Sequence, residues 1–162
     1  MPVTYQICDA APVAETIVVG FDGGDVSGRA LDRAIEDVKS AGGSVVVVVV
    51  ESMPVDPGAP SMYGLDLTAV REPTPLMAPE PSPEIEAVIQ EAEKRVDAAG
   101  VEGTFVWGFG DPGRTIVDAA RDNDATKIVV GADHHGFLGR LFGGDVEAEV
   151  RREANCEVVV VE

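Results

Sequence analysis

Two short stretches hold the residue types that could handle a phosphate-bearing ligand. Asp22-Gly23-Gly24 closes the apolar run Thr16–Phe21, and a glycine-rich segment, 131–145, closes the run Lys127–Gly131. Glycine lets a backbone approach an anion closely, and the start of a following helix presents unpaired N–H groups with partial positive charge. Asp22 admits two readings that the residues leave open, a cap on a strand-to-helix turn or a ligand contact. Asp133-His134-His135 raises a metal alternative. Adjacent ligands point in different directions and no second cluster accompanies them, so we read exposed loop imidazoles and no metal site. A protonated His134 could instead contact a ligand phosphate. Cys8 and Cys156 lie at opposite ends of the chain without CxxC or CxxH spacing, and are read as free thiols in a reducing compartment. No Ser-His-Asp, Cys-His or paired-carboxylate arrangement can be argued from the spacing. The expectation is a binding protein and no enzyme.

The elements that must position these residues alternate between strand and helix. Thr16–Phe21 reads as a buried strand feeding a tight turn. Ala30, Leu31, Ala34, Ile35 and Val38 then recur at helical spacing, with Ser27 as the expected N-cap and Gly42 as the stop. Ser44–Val50 holds six successive valines, the mark of a strand buried on both faces of a parallel sheet. Ser82-Pro83-Glu84 is a helix start, and Ile85, Val88, Ile89, Ala92 and Val96 trace its apolar stripe up to Gly100. Thr104–Trp107 reads as a third strand, with Phe105 and Trp107 packing in or beside the sheet. Asp111-Pro112 opens a further helix with Ile116, Val117 and Ala120 inward. Lys127–Gly131 is a fourth buried strand, a helix runs from about Asp145 to Ala154, and Glu157–Val161 is the last strand. This order predicts an α/β fold with right-handed crossovers and helices on both faces of a parallel sheet. Ligands in such sheets sit beyond the carboxyl ends of the strands, where the strand order reverses.

Eight of the eleven prolines (Pro54, Pro57, Pro60, Pro73, Pro75, Pro79, Pro81 and Pro83) fall within residues 51–83. Regular structure cannot persist through them, so the stretch is a long excursion, either a lid or a connector, with room for one helical turn at Gly64–Val70. The remainder fits one domain over residues 16–162 after a short extension, 1–15. Twenty-nine acidic against twelve basic residues give a net charge of −17, which repels phosphate backbones and anionic lipid. Nucleic-acid and membrane-surface binding are therefore disfavoured. The acidity suits either plain solubility or a high-salt habitat. The longest apolar run, Val45–Val50, is far short of the roughly 18 residues a membrane span needs. With no basic n-region at the N-terminus, the expected location is the cytoplasm.

From Thr16 to Glu162 the chain resembles the universal stress protein family, within the adenine nucleotide α-hydrolase-like superfamily. The resemblance is carried by Ile17–Leu31, by Gly110-Asp-Pro112, by Ile128–Gly131 with the glycine-rich segment after it, and by Arg152–Val161. It implies a three-layer sandwich with a five-stranded parallel sheet in the order 3-2-1-4-5. It also implies an adenine-nucleotide cleft in which Asp22 faces the nucleoside, Val49 lines the adenine pocket, and Gly144 and Val146 offer amides to phosphate. Family members dimerise through the closing strand, so a homodimer through Glu157–Val161 is expected; pairing would cover an otherwise exposed valine edge.

ATP-binding members of the family carry G-x2-G-x9-G-[ST] after the fourth strand. Here that spacing falls on Gly131, His134, Gly144 and Asp145. A hydroxyl at position 145 would donate to a phosphate oxygen, whereas a carboxylate only accepts and is itself negative. At about 4 Å, with an effective dielectric near 20, that repulsion is on the order of 4 kcal/mol before screening. Asp145 is also a good N-cap and would neutralise the helix dipole that phosphate needs. The expectation is a stress-response binding or signalling protein with a degenerate nucleotide site, where AMP or ATP is possible but ordinary ATP binding is disfavoured by Asp145. The alternative is an ATP- or AMP-binding switch, or weak ATPase, in which Mg²⁺ bridges Asp145 to the phosphates. A third reading, an electron-transfer-flavoprotein-like module, wants a longer chain or a catalytic loop.

Overall fold

Five short runs of branched aliphatic side chains become the strands of one sheet. The structure is a computed structural model, and it describes residues 14–51, 80–132 and 146–162. At its centre β1 (Glu15–Gly20) pairs in parallel with β2 (Gly43–Glu51) on one side and β4 (Lys127–Gly131) on the other. β3 (Glu102–Phe109) pairs with β2, and β5 (Glu157–Val161) with β4, both again parallel. The order β3-β2-β1-β4-β5 is the one expected.

Alternation of side chains across each strand divides the core in two. Ile17, Val19, Phe21, Val45, Val47 and Val49 pack with α1 (Asp25–Ala41) and α2 (Pro83–Ala99). Val18, Val46, Val48, Ile128 and Val130 pack on the opposite face with α3 (Pro112–Asp122) and α4 (Val146–Glu153). Val45 through Val49 are each at most 2% exposed, so the valine run is sealed on both faces. Burying one such side chain contributes about 1.5 kcal/mol or more. Among the described residues no helix is long and apolar enough to cross a membrane.

The helix starts follow local chemistry. Ser82 Oγ accepts from the Ile85 N–H at 3.4 Å with Pro83 in the first turn, and Gly100 ends α2 in the left-handed region at φ 69°. Asp111 Oδ1 accepts from the Arg114 N–H at 3.0 Å, opening α3. The start of α1 differs from expectation. Its N-cap is Gly24 in extended backbone, and Ser27 lies inside the first turn, 8% exposed. Ser27 is not the cap because its hydroxyl is turned back to the Asp22 carboxylate and the Gly24 carbonyl.

β3 is also longer than the expected Thr104–Trp107, running through Gly103 and Gly108. These glycines are contact points and leave the strand unbroken. A Cβ on Gly103 would fall 2.6 Å from Val96 Cγ1, and one on Gly108 would fall 2.4 Å from Thr115 Cγ2. Both helices thus sit closer to β3 than a side chain would permit. The proline-rich excursion and the helical turn expected at Gly64–Val70 lie outside the described residues apart from their stems. There the Ser82 N–H donates to Glu51 Oε2 at 3.3 Å, joining the end of β2 to the start of α2.

Candidate functional site

The strand order reverses between β1 and β4, and the candidate residues described by the structure gather at the C-terminal ends of these strands and of β2. The Phe21 N–H donates to the Val48 carbonyl at 2.9 Å, which extends the β1–β2 pairing to the residue before Asp22. The chain then turns sharply through Gly23, at φ 81°, with Val88 of α2 packed against that glycine. A positive φ here suits glycine, since a Cβ would be strained as well as 3.2 Å from Val88 Cγ2.

Asp22 is held in a defined place. Its Oδ1 accepts from the Gly24 N–H at 2.9 Å and from the Ser27 hydroxyl, and the Asp22 N–H donates back to Ser27 Oγ at 3.3 Å. Of the two open readings the hydrogen bonds show the first: the carboxylate organises the turn, half-buried at the switch-point end of a strand. Gly131 comes to the same place from β4. A Cβ there would lie 2.7 Å from Val26 Cγ1 and 3.3 Å from the Ser27 nitrogen, so only glycine lets β4 end beneath the first turn of α1. Asp22, Ser27 and Gly131 form one cluster.

The other site residues are placed differently. Val49 lies at the end of β2, but its side chain is 1% exposed and belongs to the core beneath α1 and α2. Val146 is the first residue of α4 and packs toward the opposite core. These two side chains thus face opposite sides of the sheet and share only its C-terminal edge. His134, Gly144 and Asp145 lie outside the described residues, as do His135, Asp133 and Cys8. Among the described residues there is no group of three or more metal-ligating side chains.

Two features escaped the sequence reading. Ser27 was legible only as a cap, although its hydroxyl fixes the Asp22 carboxylate. Trp107 near the end of β3 is in register with Val49, and its indole Nε1 is buried with no hydrogen-bond partner among the described residues. A residue pattern gives no sign of an unsatisfied donor.

Electrostatics add a carboxyl pair on the α3/α4 side. Glu149 of α4 lies against the first turn of α3, where a Cβ on Gly113 would meet its carboxyl oxygen. Burial, then the neighbouring Asp111 carboxylate, push the Glu149 carboxyl above the ordinary glutamate value. At the far, N-terminal end of the sheet, Lys127 Nζ reaches Asp37 at 3.1 Å and Glu15 at 3.4 Å. Cys156 borders a cleft of about 240 Å³ at that same end, with Arg121 and Asp124. Burial, then Glu157, push its thiol up, so it stays protonated and is a poor nucleophile.

The described residues at these strand ends thus supply a carboxylate acceptor held by Gly24 and Ser27 and a buried indole donor. Residues 14–162 match the model of the universal stress protein family. A stress response protein, NhaX, of Bacillus subtilis is 29% identical over 164 residues, covering 91% of this chain and 98% of its own. A universal stress protein solved in complex with cAMP is 27% identical, with a TM-score of 0.63, covering 91% of this chain and 96% of that one. A universal stress protein from Archaeoglobus fulgidus is 25% identical, with a TM-score of 0.61 over 93% of this chain and 95% of its own. With a family match that spans residues 14–162, the chain belongs to the universal stress protein family.

Proposed function

We propose that this protein is a stress-response binding or signalling protein that takes the nucleoside end of an adenine nucleotide beside Asp22 and holds the triphosphate of ATP weakly or not at all. The observation that carries this reading is the Asp22–Ser27–Gly131 cluster. A carboxylate pinned by two donors at the switch point costs little further ordering when a ligand hydroxyl or amine meets it. Gly131 lets β4 end beneath the first turn of α1, which brings the end of that strand beside the fixed carboxylate. The relative solved with cAMP supports a nucleotide carrying one phosphate. Asp145, where ATP-binding members have a hydroxyl, supports the weak hold on a triphosphate.

The protein acts by ligand occupancy and partner contact, without turnover, in the cytoplasm and as a homodimer through β5. Among the described residues β5 pairs along one edge only, with β4, and its four valines are half-buried, which leaves an edge for a second copy. Its net charge of −17 keeps it off nucleic acid and anionic membrane.

Titration calorimetry of the wild type and Asp145→Ser with AMP and with ATP·Mg²⁺ tests the reading. AMP should bind the wild type, ATP·Mg²⁺ should bind no tighter, and the serine variant should gain about tenfold for ATP, a change of about 1.4 kcal/mol after screening. Unchanged ATP affinity in the variant defeats the repulsion account. Tight ATP·Mg²⁺ binding that the variant loses supports a metal bridge through Asp145 instead.

A further inference from the structure

Trp107 is the only tryptophan in the sequence, and it occupies a position where an indole is a poor choice for packing alone. A buried N–H without an acceptor costs about 1–3 kcal/mol, whereas a phenylalanine there would fill similar space at no such cost. Few buried donors in a folded protein lack a partner, and one that does calls for an explanation, of which an acceptor supplied from outside the chain is one. The register says where that place is. Trp107 pairs with Val49, and Phe105, two residues earlier, packs on the core beneath α1 and α2. Alternation puts Trp107 on that same face of the sheet. Phe21, whose N–H bonds to the Val48 carbonyl, sits at the corresponding level of β1 and immediately precedes Asp22. With strands about 4.8 Å apart, the row Phe21–Val49–Trp107 spans about 10 Å at the C-terminal part of the sheet.

We propose that the Trp107 Nε1–H donates a hydrogen bond to a ring-nitrogen acceptor of the purine base, making Trp107 a specificity-determining residue for the base while Asp22 holds the nucleoside. This rests on the nucleotide reading above. The desolvation of the donor is already complete in the free protein, so an acceptor arriving there gains a hydrogen bond at reduced cost. A ligand lacking the base has nothing to offer it.

The test uses tryptophan fluorescence, which reports this one residue, together with calorimetry of the wild type and Trp107→Phe. The probes are AMP and ribose 5-phosphate. AMP should change the emission of the wild type and ribose 5-phosphate should leave it unchanged. Trp107→Phe should lose about threefold to tenfold in AMP affinity, as expected for one neutral hydrogen bond, with no change for ribose 5-phosphate. AMP binding that leaves the emission unaltered and is equally tight in Trp107→Phe overturns the role of Trp107 while leaving the nucleotide reading intact. Equal losses for AMP and ribose 5-phosphate also overturn it, because the residue would then act on the fold and not on the base. Failure of AMP to bind the wild type overturns both. The emission arm needs no variant, so it stands even if Trp107→Phe folds poorly.

Discussion

Replacing Ser27 with alanine should loosen the one carboxylate on which the candidate site depends. Ser27 is 8% exposed, and its hydroxyl donates to Asp22 Oδ1, lies 3.1 Å from the Gly24 carbonyl, and accepts from the Asp22 N–H at 3.3 Å. A hydrogen bond to a charged group contributes about 1.5–3 kcal/mol. Asp22 is only half-buried, so water can replace one donor and the low end of that range applies. Alanine also returns about 0.5 kcal/mol of helix propensity within the first turn of α1. The net loss should be about 1 kcal/mol, seen as a lower urea midpoint with an unchanged m-value, a shift of about 0.5 M for a slope near 2 kcal/mol/M. In an Asp22→Asn background the same change should cost less, since the charged acceptor is gone, with a coupling of at least about 0.5 kcal/mol. A Ser27→Ala protein as stable as the wild type, or losses that simply add in the double variant, would refute the idea that Ser27 holds Asp22.

Three further outcomes are expected. Lys127→Met strands two carboxylates at the N-terminal end of the sheet and should cost about 2 kcal/mol, less than a fully buried pair because Lys127 and Asp37 keep 13% and 18% side-chain exposure. For Asp37, burial is outweighed by Arg33 and Lys127, which lower its value below 3.8; for Lys127, burial is outweighed by Asp37 and Glu15, which raise it above 10.5. The wild-type contribution is therefore present between those ordinary values, lost as pH falls through the lowered aspartate value and as it rises through the raised lysine value. The methionine variant should show flatter acid and alkaline limbs in thermal melts, and unchanged limbs would defeat the assignment. Glu149, with a raised value, works the other way: the folded state holds its proton longer, so stability grows as pH falls from neutral toward 4.5. Glu149→Gln should raise the melting temperature at neutral pH and remove that dependence, and a lower melting temperature at pH 7 would contradict it. Light scattering should give a mass near twice the 16.9 kDa of one chain, and a monomer mass would remove the β5 interface.

Much of the architecture could be read from residues because each signal had a single physical meaning. Six valines in a row fit nothing but a strand buried on both sides, and Lys127–Gly131 and Glu157–Val161 appear with the expected bounds. Ser82-Pro83 and Asp111-Pro112 start helices because a side-chain acceptor and a proline each solve the unpaired N–H problem of a first turn. The misreadings came where one residue type has two uses. A hydroxyl near a helix start can cap it or reach back to a carboxylate, and Ser27 does the latter. Glycine in a strand can end it or admit a helix, and Gly103 and Gly108 admit α2 and α3. The positions of Asp22 and Gly131 were legible, since both are set by the ends of strands. The contact between Gly131 and the first turn of α1, and the unsatisfied indole of Trp107, depend on three-dimensional register that no spacing records.

The most direct test of the account is an electron-density map from crystals grown with AMP. The account predicts the nucleoside seated against the Asp22 carboxylate at the C-terminal ends of β1 and β2, with the phosphate on the Gly131 side. AMP bound away from Asp22, or a triphosphate from an ATP soak resting on the Gly144 and Val146 amides with no cation beside Asp145, would contradict it.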